Sequence, residues 1–458
     1  MGLFNRLRQW TAPQQVTLSF VVVILVGSLL LSIPAFHQPT AQVSYLDHLF
    51  TSVSMVCVTG LTVLSVQDTY NMWGQLVGVI LMQIGGLGLI TIITASLFYF
   101  HRRLSLKSQY IFREAMNRNT HRDFKRFLSS VYAVTFIIEG LAALILATQL
   151  IPLYGIKQGI GSSIFLAVSA FCNAGFDNLG TTSIQQFLTN DVINYTVALL
   201  IFAGGLGFSV WFELGNLLKK WINDRPHTLR RLFHRISPHS RIVLRTTFIL
   251  LALGTSITLM SEFNNPETIG SLNLWEKFTA SFFQSVAFRT AGFSTLDYTK
   301  TTPFTNFIYM VQMIIGGAPG GTAGGMKVTT VALIALLFRS ELLGYSQVAF
   351  HNRSFPIHLV RQALTILVYF LAVSIVGYSF LLFTQTHLDP FALLFETISA
   401  IGTVGSTMNV TGELTQSGRW IIMALMFLGR VGPLTVLISI ARKKTKKIYS
   451  APTEILLG

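Results

Sequence analysis

The chain has 458 residues, of which 51% are hydrophobic and only 11% are charged, and its formal net charge is +15. Soluble domains carry about 25% charged residues, so the composition excludes an ordinary soluble domain and indicates a protein embedded in lipid. The positive charge does not indicate a nucleic-acid partner, because Lys and Arg in the loops of membrane proteins set their orientation.

The first element in chain order is an uncharged apolar run at residues 16–36. Its 21 residues are enough to cross about 30 Å of hydrocarbon at about 1.5 Å per residue. The run is longer than the core of a signal peptide and lacks a small-residue cleavage site. It therefore predicts a spanning helix rather than a cleaved leader.

Four glycines recur at intervals of 115, 117 and 113 residues, and they are Gly60, Gly175, Gly292 and Gly405. A fixed period indicates one structural unit that is used several times. Each unit has a long apolar segment, a short one, a glycine string and a second long segment. The first long segments lie at 16–36, 127–151, 242–261 and 359–384, and the second ones lie at 72–99, 192–217, 306–337 and 420–440. Each long segment suffices for a spanning helix.

The short segments end near Cys57, Cys172, Phe288 and Gly402. With about 10–14 residues each, they are too short to cross and predict re-entrant half-helices that return as extended backbone. Non-helical backbone at membrane depth is tolerated only where it is buried in protein or lines a wet cavity. The glycine strings are therefore expected to line a pore.

Basic residues are concentrated between the units and at the ends of the chain. Residues 101–126 and 219–245 hold eight Lys and Arg each, 339–361 hold three and 441–447 hold five. The positive-inside rule places every such joint, and both termini, in the cytoplasm. Each unit then crosses an even number of times, which excludes inverted repeats. Four parallel units pack most simply around an axis along the membrane normal.

The sequence therefore predicts an all-α protein of the cell membrane with eight spanning helices around a pseudo-fourfold pore axis. Each unit is expected to contain a helix, a re-entrant pore helix with a filter loop, and a second helix (M1-P-M2). The expected boundaries are a cytoplasmic N-terminus at 1–12, units at 13–105, 106–222, 223–345 and 346–441, and a basic cytoplasmic tail at 442–458.

The glycine strings fit a potassium filter, in which rings of backbone carbonyls replace the water shell of the ion. Thr403-Val404-Gly405 matches the start of the potassium-channel filter string, although the aromatic-Gly pair that follows it there is absent in all four units. Helix packing through small residues is the alternative. The expected filter and K⁺-binding residues are Cys57, Val58, Thr59, Gly60, Cys172, Asn173, Ala174, Gly175, Arg289, Thr290, Ala291, Gly292, Gly402, Thr403, Val404 and Gly405.

The second long segment of each unit carries another glycine cluster, which unit three expands to residues 316–325. Its six glycines and one proline cannot continue a straight helix. The prediction is a loop within the membrane under the filter, with a packing kink as the alternative. Gly325-Met326-Lys327 lacks the Gly-Lys-Ser/Thr of a nucleotide-binding loop.

Arg430 is a charged residue within an apolar segment, and such residues usually face a cavity or a partner. It is expected to lie mid-helix. It either lines the pore and bonds to the loop of unit three, or forms a structural ion pair, for example with Glu139. The simplest interpretation of Glu139 itself is a contact between helices.

Arg289 is expected to point behind the filter, toward Glu276, Glu396 or carbonyl groups. Asp177 and Asp297 follow the second and third filter strings. They either concentrate cations at the mouth of the pore or are ordinary turn or cap residues, and the second interpretation is favoured for Asp297.

These strings resemble the potassium-translocating superfamily that includes the Ktr, Trk and plant HKT proteins. The resemblance covers nearly the whole chain and is strongest to the Ktr membrane subunits (KtrB-like). In that superfamily a glycine in all four loops accompanies potassium preference and a serine in the first accompanies sodium, so Gly60 implies potassium. The resemblance also implies a homodimer and a ring of RCK-type nucleotide-binding cytoplasmic subunits (KtrA/KtrC-like). The residues to which it implies a gating role are Gly316, Gly317, Ala318, Pro319, Gly320, Gly321, Thr322, Ala323, Gly324, Gly325 and Arg430.

The chain has no motif that supplies chemical energy, and its histidines lie mostly in joints and outer loops, so an enzyme is not expected. A membrane potential supplies about 2.3 kcal/mol per charge per 100 mV, which supports roughly fifty-fold accumulation. The sequence predicts K⁺ uptake driven by that potential, with no organic cofactor. The alternative is a symporter that couples K⁺ to Na⁺ or H⁺, with Glu139 as the deep carboxylate.

Overall fold

The computed structural model describes residues 12–39, 41–88, 121–223 and 236–432. The expected basic tail at 442–458, nearly all of the expected N-terminus at 1–12 and most of the basic stretch at 101–126 lie outside these ranges. Parts of the segments expected at 72–99, 219–245 and 420–440 also lie outside them.

The described ranges are mostly helical. The helices are α1 Ala12–Leu31, α2 Tyr45–Cys57, α3 Val66–Thr69, α4 Met72–Leu87, α5 His121–Cys172, α6 Asp191–Gly205, α7 Phe208–Asn223, α8 Pro238–Glu262, α9 Leu274–Ala287, α10 Pro303–Ile314, α11 Val328–Leu342, α12 Ile357–Thr384, α13 Pro390–Gly402 and α14 Gln416–Val431. Short 3₁₀ turns occur at Pro34–Phe36, Gln185–Phe187 and Thr411–Glu413. The described strands, β1 Ala349–Phe350 and β2 Arg353–Ser354, form one antiparallel hairpin.

Four described helices are long and apolar enough to cross a membrane, and they lie at Gln14–Leu31, Ser129–Cys172, Pro238–Glu262 and Ile357–Thr384. Large apolar side chains on them face outward, as expected where lipid is the solvent. A fifth span exists if α6 and α7 are taken together. The number found among the described residues is smaller than the eight expected.

Glycines interrupt the second long segments. The segment expected at 192–217 is not one straight helix, because α6 and α7 meet at a bend of 101°. Gly207 lies at this bend with φ +83°, a conformation that favours glycine. Similar glycines, Gly88 and Gly432, follow the last residues of α4 and α14.

The short helices α2, α9 and α13 have 13, 14 and 13 residues. The side chains of Asn273 and Asp389 cap α9 and α13, and at the start of α2 the Asp47 carboxylate accepts hydrogen bonds from the N–H and hydroxyl of Ser44. The corresponding helix of the second unit is not separate. It is the end of α5, which is broken at Gly155, where φ is +79° and ψ is +168°.

The first and last of the expected units are joined directly. Arg419 of α14 forms an ion pair with Asp47 of α2, and α14 packs against α2 in one apolar core that includes Met55 and Met426. This contact brings the two ends of the described chain together.

Candidate functional site

A residue in the left-handed region follows or ends each of the four short helices. These residues are Val58, Asn173, Thr290 and Thr403, with φ of +55°, +58°, +66° and +50°. Three of them are β-branched, for which this conformation is rare and costs about 1–2 kcal/mol. Strain of this kind is concentrated at functional sites, where the surrounding structure holds it in place.

The four repeated glycines meet at one place. Two residues after each left-handed residue stand Gly60, Gly175, Gly292 and Gly405, with φ of +101°, +73°, +76° and +93°. A Cβ built on Gly60 would lie 3.2 Å from the Cα of Gly175 and 3.3 Å from that of Gly405. Residues far apart in the sequence therefore form one closed ring of backbone.

Each glycine of the ring is pressed against a carbonyl oxygen of the neighbouring loop. A Cβ built on each glycine would lie very close to a carbonyl oxygen of the next loop. The distances are 2.8 Å from Gly60 to Ala174, 2.6 Å from Gly175 to Ala291 and 2.6 Å from Gly292 to Val404, and the contact from Gly405 to Thr59 is still closer. Any side chain at these positions would displace a carbonyl. The glycines are therefore required by packing as well as by φ.

Three serines hold the loops in this shape. Ser54 and Ser399 accept hydrogen bonds at Oγ from the backbone N–H of Gly60 and Gly405, both at 3.1 Å. Ser169 accepts one from the N–H of Phe176 at 2.9 Å. Sequence reasoning missed this role, although the signal was present, because each serine precedes the repeated glycine by six residues. Val286 occupies the corresponding position in the third unit.

The chain between α10 and α11 is irregular and lies against three of the four loops, since a Cβ built on Gly325 would also lie 3.1 Å from the carbonyl oxygen of Gly402. The Thr322 hydroxyl donates to the carbonyl of Phe171 at 2.9 Å, and the N–H of Gly324 donates to the Thr290 hydroxyl at 3.2 Å. The Thr322 N–H also bonds to the carbonyl of Gly204 at 3.1 Å, near the bend between α6 and α7. The segment at 316–325 therefore packs directly on loop residues that precede the repeated glycines.

Arg430 lies in the last described turn of α14 rather than in the middle of a helix. Its Nη1 donates to the carbonyl oxygen of Thr322 at 2.6 Å, and its Nη2 donates to that of Gly85. The side chain thus joins α14 to the segment at 316–325 and to the glycine cluster at the end of α4. The alternative of an ion pair with Glu139 is not what the structure contains.

A second cationic side chain, that of Lys327, forms a hydrogen bond to the segment at 316–325. Lys327, next to the start of α11, donates from Nζ to the carbonyl oxygen of Ala323 at 2.6 Å. Sequence reasoning used Lys327 only to exclude a nucleotide motif and did not assign it a place. The carbonyls of Thr322 and Ala323 therefore each accept a hydrogen bond from a cationic side chain.

The side chain of Arg289 does not bond to the carboxylates expected for it. It is buried, and its Nη2 donates to the hydroxyl of Thr247 on α8 at 3.3 Å. Glu276 instead caps its own helix, and Glu396 accepts a hydrogen bond from Thr411 at 2.5 Å. The backbone carbonyl of Arg289 accepts from Asn173, so this residue contacts the ring through its main chain.

A cavity of about 290 Å³ opens above the ring and is lined by the four glycines together with Asp177 and Asp297. Asp297 is a turn residue, because its carboxylate accepts hydrogen bonds from the N–H and hydroxyl of Thr299. Burial raises the pKa of Asp177 to about 6, although a hydrogen bond from the N–H of Leu179 opposes this shift. Both acids thus line this cavity, in different settings.

Glu139 belongs to α5, is 4% exposed and lies on the side of α5 that faces α4. It accepts a hydrogen bond from Gln83 at 3.3 Å, and Gln83 accepts one from the thiol of Cys172 at 3.3 Å. Glu139 is therefore connected to the end of the second short helix rather than to Arg430.

Known proteins are similar to this chain in sequence and in fold. A family model described as TrkH, cation transport protein, matches residues 4–449. Ktr system potassium uptake protein B of Bacillus subtilis is 34% identical over 451 residues, which cover 98% of this chain and 97% of that protein. Potassium/sodium uptake protein NtpJ of Enterococcus hirae is 34% identical over 461 residues, with 99% of each chain covered.

One solved structure extends this similarity to three dimensions. The crystal structure of the potassium transporter TrkH from Vibrio parahaemolyticus matches with a TM-score of 0.71 and 18% identity. The match covers 93% of this chain and 84% of that one. At this identity the likeness concerns the fold.

Proposed function

Because the chain belongs to the TrkH cation transport family, we propose that it takes up potassium across the cell membrane through the ring of four loops. The observation that carries the proposal is the set of carbonyl oxygens around the ring, one from each loop. The set comprises the carbonyls of Thr59, Ala174, Ala291 and Val404. Carbonyl rings of this kind replace the hydration shell of K⁺.

The names of the similar proteins support K⁺ as the substrate, since the Bacillus relative is a potassium uptake protein. Gly60 in the first loop points the same way, because a serine there accompanies sodium in the superfamily that the chain resembles. The ion enters from the cavity that Asp177 lines and sheds its water at the ring. It then passes toward the expected cytoplasmic side, where the basic joints lie.

The irregular segment at 316–325 is the proposed gate, because it lies directly against the inner ends of the loops. Arg430 holds it in the observed position through the carbonyl of Thr322. With the segment in place, a loop and a positive charge obstruct the path of a cation. Removing two residues from this segment is expected to raise K⁺ flux, whereas unchanged or lower flux would contradict the gating role.

A regulatory subunit is proposed to move this gate. Two of the similar proteins are named as components of Ktr systems, which supports a system with more than one component. The proposed partner is an RCK-type nucleotide-binding ring that docks on the basic cytoplasmic joints of a homodimer of this chain. The membrane potential supplies the driving force, at about 2.3 kcal/mol per charge per 100 mV.

Coupling to Na⁺ or H⁺ is the second candidate. It is favoured by the name of the Enterococcus relative, a potassium/sodium uptake protein, and by the buried carboxyl group of Glu139. Vesicles that contain the purified chain separate the two possibilities. Uptake driven by an imposed potential, without Na⁺ and without a pH gradient, supports permeation. Uptake that requires either gradient would support coupling, and absence of K⁺ uptake under all conditions would contradict both.

A further inference from the structure

A groove of about 510 Å³ opens between the first turns of α8 and the β1–β2 hairpin. It is separate from the ring and from the segment at 316–325. Arg241, Arg245 and His351 contribute its basic and polar wall, and none of the described residues that line it is acidic. Among its described residues, the wall of the groove therefore carries basic groups and no carboxylate.

The two arginines are placed on one side of α8. They are four residues apart in a helix, so they lie one above the other on the same face. The Nη1 of Arg245 donates to Nε2 of His351 at 2.6 Å, and its guanidinium lies 5.7 Å from the ring centre of Phe350. These contacts hold the planar fork of Arg245 at the rim, although none of them neutralises its charge.

The hairpin is built to keep His351 in this position. His351 and Asn352 have φ of +48° and +61°, and two successive left-handed residues form the tight two-residue turn that joins antiparallel strands. Ala349 pairs with Ser354, and Phe350 pairs with Arg353. The hairpin thus holds Phe350 and His351 against α8.

The groove becomes apolar one turn further along α8. Phe248 and Ile249 line it and are 73% and 54% exposed. Both belong to the span Pro238–Glu262, which is long and apolar enough to cross the membrane. Acyl chains are the natural cover for apolar side chains at this depth, whereas a soluble acidic protein does not reach them.

We propose that this groove binds one anionic phospholipid, with its phosphate between Arg241 and Arg245 and one acyl chain along Phe248 and Ile249. Arginine forks match phosphate oxygens geometrically and form charge-assisted hydrogen bonds to them. Basic pockets between membrane helices bind anionic headgroups for the same reason. The site lies between the third and fourth expected units, so the lipid bridges them.

Native mass spectrometry of the full chain, incubated with phosphatidylglycerol or phosphatidylcholine of matched acyl chains, tests the proposal. We expect one retained phosphatidylglycerol per chain and no comparable retention of phosphatidylcholine. Arg241→Gln with Arg245→Gln is expected to lower phosphatidylglycerol occupancy at least about tenfold, which is about 1.4 kcal/mol. The control, Lys219→Gln with Lys220→Gln, removes the same charge from exposed positions on α7 outside the groove and should retain the lipid.

Arg241 also donates to the carbonyl of Ile236, so the single variant Arg245→Gln is measured in parallel in case the double variant does not fold. Equal retention by wild type and the folded variants would overturn the proposal, as would equal retention of phosphatidylcholine. Displacement of the lipid by glycerol 3-phosphate alone would show a site for free phosphate. Variants that keep the lipid and lose a cytoplasmic partner protein would show a protein-docking site instead.

Discussion

Arg430 and Thr322 are joined across two units by a hydrogen bond of 2.6 Å from a guanidinium nitrogen to a backbone carbonyl oxygen. Because the donor is charged, such a bond contributes about 1.5–3 kcal/mol. It holds the segment at 316–325 against the ring, and its loss is expected to free that segment.

Arg430→Gln is therefore expected to raise K⁺ flux at least about tenfold in vesicles without any cytoplasmic partner, because a tenfold change corresponds to a loss of only about 1.4 kcal/mol. Arg430→Lys keeps the charge but cannot reach two carbonyls at once, so its flux should be intermediate. The control is Arg361→Gln, at an exposed position on α12. A flux equal to that of wild type in Arg430→Gln would contradict the tethering role.

Gly60→Ser is expected to reduce the K⁺ over Na⁺ flux ratio about tenfold, since its Cβ would lie 2.8 Å from the carbonyl oxygen of Ala174. The serine would also have to adopt φ of +101°. The matched control is Gly215→Ser, at a glycine whose added Cβ has no atom within 4 Å. Radiotracer uptake with K⁺ and Na⁺ in competition measures the ratio, and an unchanged ratio would count against the filter assignment.

Ser399→Ala removes the acceptor of the Gly405 N–H. An unsatisfied buried N–H costs about 1–3 kcal/mol, so the fourth loop should loosen and the K⁺ over Na⁺ ratio should fall about fivefold. The control is Ser379→Ala on α12, whose hydroxyl bonds only within its own helix, to the carbonyl of Ile375. Equal ratios in the two variants would show that the serine is not needed for the shape of the loop.

Asp177 gives the expected pH dependence. Its pKa is raised to about 6, so the carboxyl group is charged above that pH and becomes neutral as the pH falls through it. K⁺ uptake at low external K⁺ should therefore decrease between external pH 7 and pH 5. Asp177→Asn should flatten this profile, and Glu267→Gln, at an exposed position that does not line the cavity, should not. A profile in Asp177→Asn identical to that of wild type would refute the role of this carboxylate.

The repeat of the glycines predicted which residues lie together, because four equivalent backbone conformations need four equivalent small residues. Gly60, Gly175, Gly292 and Gly405 meet as one ring. The regular spacing of these glycines in the sequence was sufficient for this prediction, because it does not depend on side-chain contacts. The helix break at 316–325 was equally accessible, since glycine and proline act on local backbone.

Other features were not accessible because they depend on tertiary contacts. The bend at Gly207 was missed because a single glycine cluster is compatible with a straight membrane helix. Here Phe208 donates its N–H to the carbonyl of Gly320, which only the folded chain brings near. The Arg289 partner was missed for the same reason, since Thr247 lies on another helix.

The most direct test of the central claim is the density of bound ions in cryo-EM maps of the chain prepared in K⁺ and in Na⁺. The account predicts an ion peak on the axis between the carbonyl oxygens of Thr59, Ala174, Ala291 and Val404 in K⁺, and a weaker or absent peak in Na⁺. A ring without an ion in K⁺, or equal peaks in both salts, would contradict it.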